Sequence, residues 1–291
     1  MKIVHFVAGL AGNNGMANTA REFAAEEVAR GDEAVVTNDL AAISQGTDEV
    51  CIHGAWLPVL WKAAKRAKVM GARLVIRPAG SYDPVRLAYH VWKKKIVAPF
   101  EHRMLRRADV LMATCEAEMD WIRAYEPRVK KIEVTDLKRF FDLNHGIHGI
   151  HGIHERVEGR PLHLLYLGRR HPLKGVEFLE EAVKDVEGCE LRIVSNAFGE
   201  EKEKVWAWCD VLALPTLSEN FGRVVAEALE RGKRVITTDG APAWAPSASA
   251  TDDNGSDCGG RLIYLKGYRD GTNEKRVQLL KSAIEELGVR R

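Results

Sequence analysis

Short apolar runs alternate with helical stretches along this 291-residue sequence, and this alternation most constrains the fold. Runs rich in Val, Ile and Leu that stop at Gly, Pro or Asp are typical of strands buried on both faces. Strands that alternate with helices predict parallel sheets covered by helices. The strands are predicted at residues 2–7, 33–37, 50–53, 73–77, 109–113, 162–167, 191–194, 211–215 and 234–237, and the principal helices at 16–30, 58–70, 202–208 and 273–287.

A repeated tripeptide separates two groups of strands. Residues 145–154 read HGIHGIHGIH, which places four histidines three positions apart. A metal site is one interpretation, but a glycine in every unit opposes a fixed ligand scaffold, so a low-complexity linker is favoured. The length suits two domains. We expect a first domain at 1–144, a linker at 145–160 and a second domain at 161–291.

Cysteine usage and hydropathy limit the class of protein. The five cysteines are scattered, odd in number and contain no C-x-x-C pair, which favours reduced thiols in the cytoplasm over a disulfide framework or a zinc site. The apolar start is too short for a secretory signal and is expected to form the first strand. No apolar run approaches the roughly 20 residues of a membrane span, so membrane contact is expected to be peripheral.

The stretch LSENFGRVVAEAL, residues 217–229, predicts a ligand site. It follows a buried strand and places Glu219 before a Phe221-Gly222 turn and Glu227 on the helix that the turn opens. A helix N-terminus with a glycine is a seat for anions, because its amide groups and dipole point at the ligand. Two carboxylates around such a seat suit a polyhydroxylated ligand, although glutamates at this spacing also occur in helices by chance.

The loop GRRHPLKG, residues 168–175, predicts a second element of the same site. Arg169 and Lys174 lie five positions apart across a proline-containing loop that follows a clear strand. Both cations can therefore converge on one diphosphate, and charge-assisted bonds to phosphate are roughly twice as strong as neutral ones. The alternative is a pair of ordinary solvated surface cations.

Together these motifs resemble the retaining, nucleotide-sugar-dependent glycosyltransferases of family 4. The resemblance implies the GT-B fold, an α/β architecture with two Rossmann-like domains whose parallel sheets face each other across a cleft. It makes 1–144 the acceptor-side domain and 161–291 the nucleotide-sugar-binding domain. It implies that Arg169, Lys174 and Glu219 act in catalysis, with the two cations on the leaving diphosphate and Glu219 on the sugar hydroxyls. The residues that the resemblance implies in donor binding are Gly12, Gly15, Gly168, Asn220, Phe221, Gly222 and Glu227, the last on the ribose hydroxyls.

The resemblance also implies an activity. We expect sugar transfer from a nucleotide diphosphate donor of unknown base to a glycan or lipid-linked glycan, with retention, in bacterial lipopolysaccharide or surface polysaccharide synthesis. No D-x-D motif stands near a strand end, so we expect no metal in the transfer step and no cofactor. Two alternatives stay open: a non-catalytic protein that binds nucleotide sugars, and a glycosyltransferase that acts on DNA.

The first half departs from the family at the donor side. The loop GLAGNNG, with Gly12 and Gly15, lacks the ordered G-x-G-x-x-G spacing, so nicotinamide binding is disfavoured and a plain tight turn is the alternative to a donor loop. In IRPAGSYDP, Ala79 stands where relatives carry His or Arg, and either Arg77 substitutes for it or donor binding is altered. His53 ends a strand and is a candidate for substrate contact, with a simple hydrogen-bonded role as the alternative.

Positive charge is concentrated in residues 57–107. This segment has 13 Lys or Arg against two acidic residues, a net charge of +11, whereas the whole chain carries +2. Aromatic residues lie among the cations, which suits an anionic membrane surface. We therefore expect a cytoplasmic protein attached peripherally to the inner face of the cell membrane. A solvated helix face is the alternative, and a nucleic-acid surface is a less favoured one.

Overall fold

The structure, a computed structural model, describes residues 1–10, 15–141, 143, 160–195, 197–246 and 261–289. The chain divides into two compact units, Met1–Asp136 and Leu137–Arg291. This division places residues 137–141 with the second unit. The repeat at 145–154, with its four histidines, lies outside the described residues.

The first unit is a six-stranded parallel sheet with helices between its strands. The strand order is β2-β1-β3-β4-β5-β6. Its elements are β1 Lys2–Val7, α1 Gly15–Ala29, β2 Glu33–Thr37, β3 Glu49–His53, α2 Pro58–Val69, β4 Arg73–Arg77, α3 Pro84–Ala88, α4 Val91–Arg107, β5 Val110–Ala113, α5 Glu116–Tyr125 and β6 Ile132–Val134.

The central strands of this sheet are buried because their residues are apolar on both faces. Val4 and Phe6 in β1, Ile52 in β3 and Leu74 and Ile76 in β4 are all fully buried in one core. The chain leaves β1 for β2 on one side and returns to β3 on the other. The strand order therefore reverses between β1 and β3, which is where such sheets commonly bind ligands.

Asp109 connects three elements of the first unit just before β5. Its carboxylate accepts a hydrogen bond from the backbone amide of Leu74, at 2.8 Å, and from Lys68 and Lys130 at 2.5 and 3.3 Å. Burial alone would raise the pKa of Asp109, but these three donors outweigh it and lower the pKa to about 2. The carboxylate is therefore ionised at neutral pH and holds the start of β5 against β4 and α2.

The second unit is a five-stranded parallel sheet. The strand order is β11-β10-β9-β7-β8, so the order reverses between β7 and β9. Its elements are β7 Leu162–Leu167, α6 Val176–Val183, β8 Cys189–Val194, α7 Gly199–Trp208, β9 Val211–Ala213, α8 Arg223–Glu230, β10 Arg234–Thr238, β11 Leu262–Leu265 and α9 Asn273–Val289.

The structure confirms most predicted elements and corrects several details. The strand β9 ends at Ala213, before Pro215, and β11 was not predicted from its short mixed sequence. After β10, Pro242–Trp244 forms a 3-10 turn that buries Trp244, and 247–260 lies outside the described residues. Among the helices described, none has the length and apolar character that a membrane crossing requires.

Candidate functional site

The second unit brings the two predicted site loops together at the point where its strand order reverses. One loop follows β7 and the other follows β9, and these strands are neighbours in the sheet. Parallel strands end at the same edge, so both loops lie at the carboxyl edge where open α/β sheets bind ligands. The sequence predicted both loops as elements of one site, and the pairing of β7 with β9 places them side by side.

In the loop after β7, Lys174 is followed by a glycine at which any side chain would clash with the neighbouring backbone. Gly175 has φ +60°, and a Cβ atom there would lie 2.2 Å from the carbonyl oxygen of Pro215. The carbonyl oxygen of Leu173 accepts hydrogen bonds from the Thr216 hydroxyl and the Leu217 amide, at 3.0 and 2.9 Å. These contacts lock the Lys174 loop onto the loop that carries Glu219.

Lys174 and Glu219 form an ion pair inside this site. The Lys174 Nζ atom donates to Glu219 Oε2, and the two side chains are 19 % and 18 % exposed. The other carboxylate oxygen of Glu219 accepts a hydrogen bond from the backbone amide of Asn220 at 3.1 Å. The structure therefore joins two of the three predicted catalytic residues, which stand 45 positions apart in the chain.

Arg169, the third predicted catalytic residue, lies exposed on the same loop as Lys174. Its backbone carbonyl accepts a hydrogen bond from the buried Tyr166 hydroxyl at 2.8 Å. This bond fixes the backbone of Arg169 but not its guanidinium group. Burial, together with the nearby charge of Glu219, raises the pKa of Tyr166 well above its ordinary value. Tyr166 therefore stays a neutral donor. Gly168, which precedes Arg169, is half-buried at the end of β7.

The turn after Glu219 leads into α8 through Gly222. Gly222 has φ +68° and caps α8, which begins at Arg223. The Glu219 amide donates to the carbonyl oxygen of Gly240 at 2.7 Å, which fixes this turn against the end of β10. The Phe221 ring is buried between Phe141 and Trp244, with centroid distances of 5.8 and 5.2 Å. Phe221 thus holds the turn in place through its side chain.

Glu227 lies on α8 and is paired with a lysine that the sequence did not indicate. The Lys202 Nζ atom on α7 lies 2.7 Å from Glu227 Oε2, and both side chains are about one-fifth exposed (20 % and 21 %). Glu227 Oε2 has no hydrogen-bond partner, so its contact with Lys202 is an ion pair without hydrogen-bond geometry. Lys202 follows Glu200 and Glu201 in the first turn of α7, a pattern typical of an ordinary solvated helix start. The sequence therefore gave no indication that Lys202 pairs with Glu227.

Two of the glycines predicted to bind the donor, Gly12 and Gly15, belong to the first unit. Gly15 is the exposed first residue of α1, and Gly12 lies outside the described residues. Ala79 has φ +54°, a left-handed conformation, and follows β4. Arg77 is buried, with its guanidinium carbon 3.8 Å from the centre of the Phe23 ring. Arg77 therefore packs inside the first unit.

His53 is buried at the end of β3 and contacts another histidine. Its Nε2 atom lies 3.0 Å from Nδ1 of His5 on β1. Burial lowers the pKa of His53 well below its ordinary value, and the charges of His5 and Arg77 lower it further. The alternative of a hydrogen-bonded role, raised from the sequence, is thus the arrangement seen within the first unit.

The two parallel α/β units, with loops at the strand-order reversal of each sheet, define a protein of the GT-B fold. Three solved structures share it: Anabaena Alr3699/HepE in complex with UDP, the sucrose-phosphate synthase of Thermosynechococcus elongatus, and WaaG, a glycosyltransferase involved in lipopolysaccharide biosynthesis. Their TM-scores are 0.59, 0.61 and 0.59, with sequence identities of 15 %, 14 % and 14 %. The alignments cover 99 % of this chain in each case, and 91 %, 98 % and 92 % of the three known chains.

A family model adds a sequence-level likeness in the first half. Residues 39–137 match the glycosyl transferase 4-like domain. No curated protein matches the chain by sequence. The family match covers the half in which the sequence motifs resembled the family less, so it complements the motifs of the second half.

Proposed function

We propose that this protein is a glycosyltransferase that transfers a sugar from a nucleoside diphosphate donor to a hydroxyl group of a glycan or lipid-linked glycan, with retention. The observation that carries this proposal is the meeting of Lys174 and Glu219 at the β7–β9 edge. A cation for a diphosphate and a carboxylate for sugar hydroxyls stand there side by side. The GT-B fold and the match to a glycosyl transferase 4-like domain support the proposal.

The proposed reaction needs a stabilised leaving group. The bond between the anomeric carbon and the diphosphate oxygen breaks, and the acceptor oxygen forms the new bond and gives its proton to the departing diphosphate. Negative charge then develops on the diphosphate, where Lys174, Arg169 and the amide end of α8 stabilise it. Such preorganised electrostatic groups are usually the largest catalytic contribution. Glu219 orients the sugar through its hydroxyls, and Glu227 binds the ribose.

The donor is proposed to be a nucleotide sugar because related folds have been solved with such ligands. Anabaena Alr3699/HepE was crystallised with UDP and with UDP-glucose, and a starch synthase from Arabidopsis thaliana with ADP. The base is left to experiment. The proposed acceptor, a lipopolysaccharide core or surface polysaccharide, follows the motif resemblance and the likeness to WaaG and to the outer core galactosyltransferase WaaB.

Two measurements test the activity. Thermal stabilisation by a panel of UDP, ADP and GDP sugars identifies the donor, and chromatography then measures the nucleoside diphosphate released with oligosaccharide acceptors. We expect release from the wild type and from Glu200→Ala, an exposed control in the same unit, and loss of release in Glu219→Ala. A wild type that binds the donor without any release, by transfer or hydrolysis, contradicts the enzyme and favours the non-catalytic alternative.

Helix α4 favours a membrane surface as the place where the protein works. Its residues Trp92, Ile96 and Phe100 are 61 %, 66 % and 58 % exposed and stand four positions apart, so they share one face of the helix. Exposed Lys93 and Lys95 accompany this apolar stripe. An exposed apolar stripe with cations suits insertion at an anionic bilayer surface, where each Lys or Arg contributes about 1 kcal/mol.

A vesicle experiment tests this location. We expect the protein to float with vesicles that contain anionic phosphatidylglycerol, and to release them in high salt. Ile96→Glu should reduce flotation strongly, whereas Val69→Glu, an equal charge change at an exposed residue of α2, should leave most of it. Equal losses in both variants would indicate charge attraction without insertion. Binding to duplex DNA in place of vesicles would favour the DNA alternative and contradict the membrane location.

A further inference from the structure

Three side chains of types that can bind a metal ion meet on one face of the first sheet, at the reversal of its strand order. His5 in β1 pairs in register with Cys51 in β3, and His53 lies two residues beyond Cys51. Since side chains alternate along a strand, Cys51 and His53 project from the same face. All three side chains are buried, at 2 %, 4 % and 3 % exposure. The proposed transferase mechanism uses none of them.

The ligand atoms are close enough to share one ion. One nitrogen of each histidine and the Cys51 Sγ atom all lie within 4.8 Å of one another. His5 Nδ1 and His53 Nε2 are 3.0 Å apart. In a tetrahedral zinc site with Zn–N bonds of about 2.0 to 2.1 Å, two nitrogen ligands are separated by roughly 3.3 Å. The two imidazole nitrogens are therefore already near the separation that a shared zinc ion requires.

A fourth residue orients the cluster in the way that metal sites require. Glu27 on α1 is 8 % exposed, and its Oε2 atom lies 2.7 Å from Nε2 of His5. A carboxylate on the outer nitrogen of a histidine fixes the tautomer, so that the other nitrogen presents its lone pair to the metal. Glu27 and a Cys51 thiolate would also supply two negative charges, which balance a divalent cation near the buried Arg77.

We propose that His5, Cys51 and His53 bind one Zn²⁺ ion, with Glu27 positioning His5 and a water molecule in the fourth position. Imidazole nitrogen and cysteine thiolate are both zinc ligands in proteins, and a site with three protein ligands leaves the fourth tetrahedral position to water. The ion joins β1 to β3 in the interior of the first unit and so stabilises that unit. This site differs from the linker repeat, whose histidines have no cysteine among them.

Cobalt substitution tests the site through the thiolate. Full-length protein, treated with a chelator and titrated with Co²⁺, should bind one equivalent at this site and develop a sulfur-to-cobalt charge-transfer band in the near ultraviolet. Zn²⁺ should then displace the cobalt and abolish the band. Cys51→Ser should lose the band, while Cys115→Ser, at a half-buried thiol outside the cluster, should keep it. A variant with all four repeat histidines changed to Gln should also keep the band.

A second variant covers the case in which Cys51→Ser fails to fold. Glu27→Gln keeps the size of the side chain and should lower the Zn²⁺ affinity 10- to 100-fold, the usual effect of losing such a partner. Absence of the charge-transfer band in the wild type, or a Glu27→Gln variant with unchanged Zn²⁺ affinity, overturns the proposal and leaves a proton as the group shared by the two histidines. The readout involves no donor, so failure of the proposed activity leaves it interpretable.

Discussion

Replacing Lys174 by Met should weaken nucleoside diphosphate binding without unfolding the second unit. Hydrogen bonds to charged groups contribute about 1.5 to 3 kcal/mol, so the loss of this cation should raise the dissociation constant about 10- to 150-fold. Lys174 is only 19 % exposed, which keeps water from replacing its amino group fully and favours the upper part of that range.

Replacing Glu219, the ion-pair partner of Lys174, should not weaken nucleoside diphosphate binding. Glu219 holds Lys174 in an ion pair at 18 % exposure and competes with the phosphate for it. Glu219→Gln removes this competition, and a partly exposed ion pair contributes about 1 kcal/mol. Nucleoside diphosphate binding should therefore stay unchanged or tighten up to about fivefold, while sugar transfer falls because the sugar hydroxyls lose their carboxylate.

Isothermal titration calorimetry measures both effects, with the nucleoside diphosphate that stabilises the wild type most. Lys184→Met is the matched control, since Lys184 is a 66 % exposed lysine that pairs with Glu181 on the surface of the same unit. Circular dichroism confirms folding. The assignment of Lys174 to the diphosphate would be refuted by wild-type affinity in Lys174→Met. Equal weakening in Glu219→Gln and Lys174→Met would show that the pair is structural.

Three further substitutions test the site and the fold. Gly175→Ala should destabilise the protein by at least about 2 kcal/mol in urea unfolding and abolish donor binding, because its Cβ would lie 2.2 Å from a backbone oxygen. Glu227→Ala should weaken donor binding about 10- to 150-fold in the same calorimetric assay, through loss of the ribose contact. Asp109→Asn should cost about 1 to 2 kcal/mol at pH 7. The folded pKa of Asp109 is about 2, below the ordinary 3.8, so its contribution is complete above pH 4 and is lost as the pH falls toward 2. Urea unfolding at pH 7 and near pH 2 checks this.

Each of these predictions has an outcome that contradicts it. Gly199 has a similar φ of +51°, and an added Cβ there would meet open space. Gly199→Ala should therefore lower the free energy of unfolding by about 1 to 2 kcal/mol and retain donor binding. Equal effects at Gly175 and Gly199 would show that backbone strain, and not the close approach, matters. Normal donor use in Glu227→Ala removes Glu227 from the site. An Asp109→Asn deficit that persists at pH 2 would place its origin outside the carboxylate charge.

The fold was predictable because buried strands are apolar along short runs of the sequence. Runs such as LHLLYL at 162–167 are apolar at nearly every position, and the structure confirms β7 with those bounds. Elements with weaker local signals were missed or misplaced. The strand β11, Leu262–Leu265, is four residues long, and its sheet position depends on pairing with β10, which local sequence does not report.

The candidate site was predicted in part. The motifs identified Lys174 and Glu219, because each stands in a glycine-containing loop after a strand. Their ion pair was not predictable, since it requires β7 to lie beside β9. Lys202 was overlooked for the same reason: its contact with Glu227 joins α7 to α8 across the tertiary structure.

By itself the sequence determined the parallel α/β architecture, the residue types of the proposed diphosphate site and the basic character of residues 57–107, because each is a property of neighbours along the chain. The tertiary structure alone decided which of these residues meet. It paired each site glutamate with a lysine, left Trp92, Ile96 and Phe100 exposed, and gathered His5, Cys51 and His53 through the register of β1 with β3. The physical reason is that strand order, register and helix packing bring together groups that lie 25 to 48 positions apart in the chain, and no local pattern encodes that proximity.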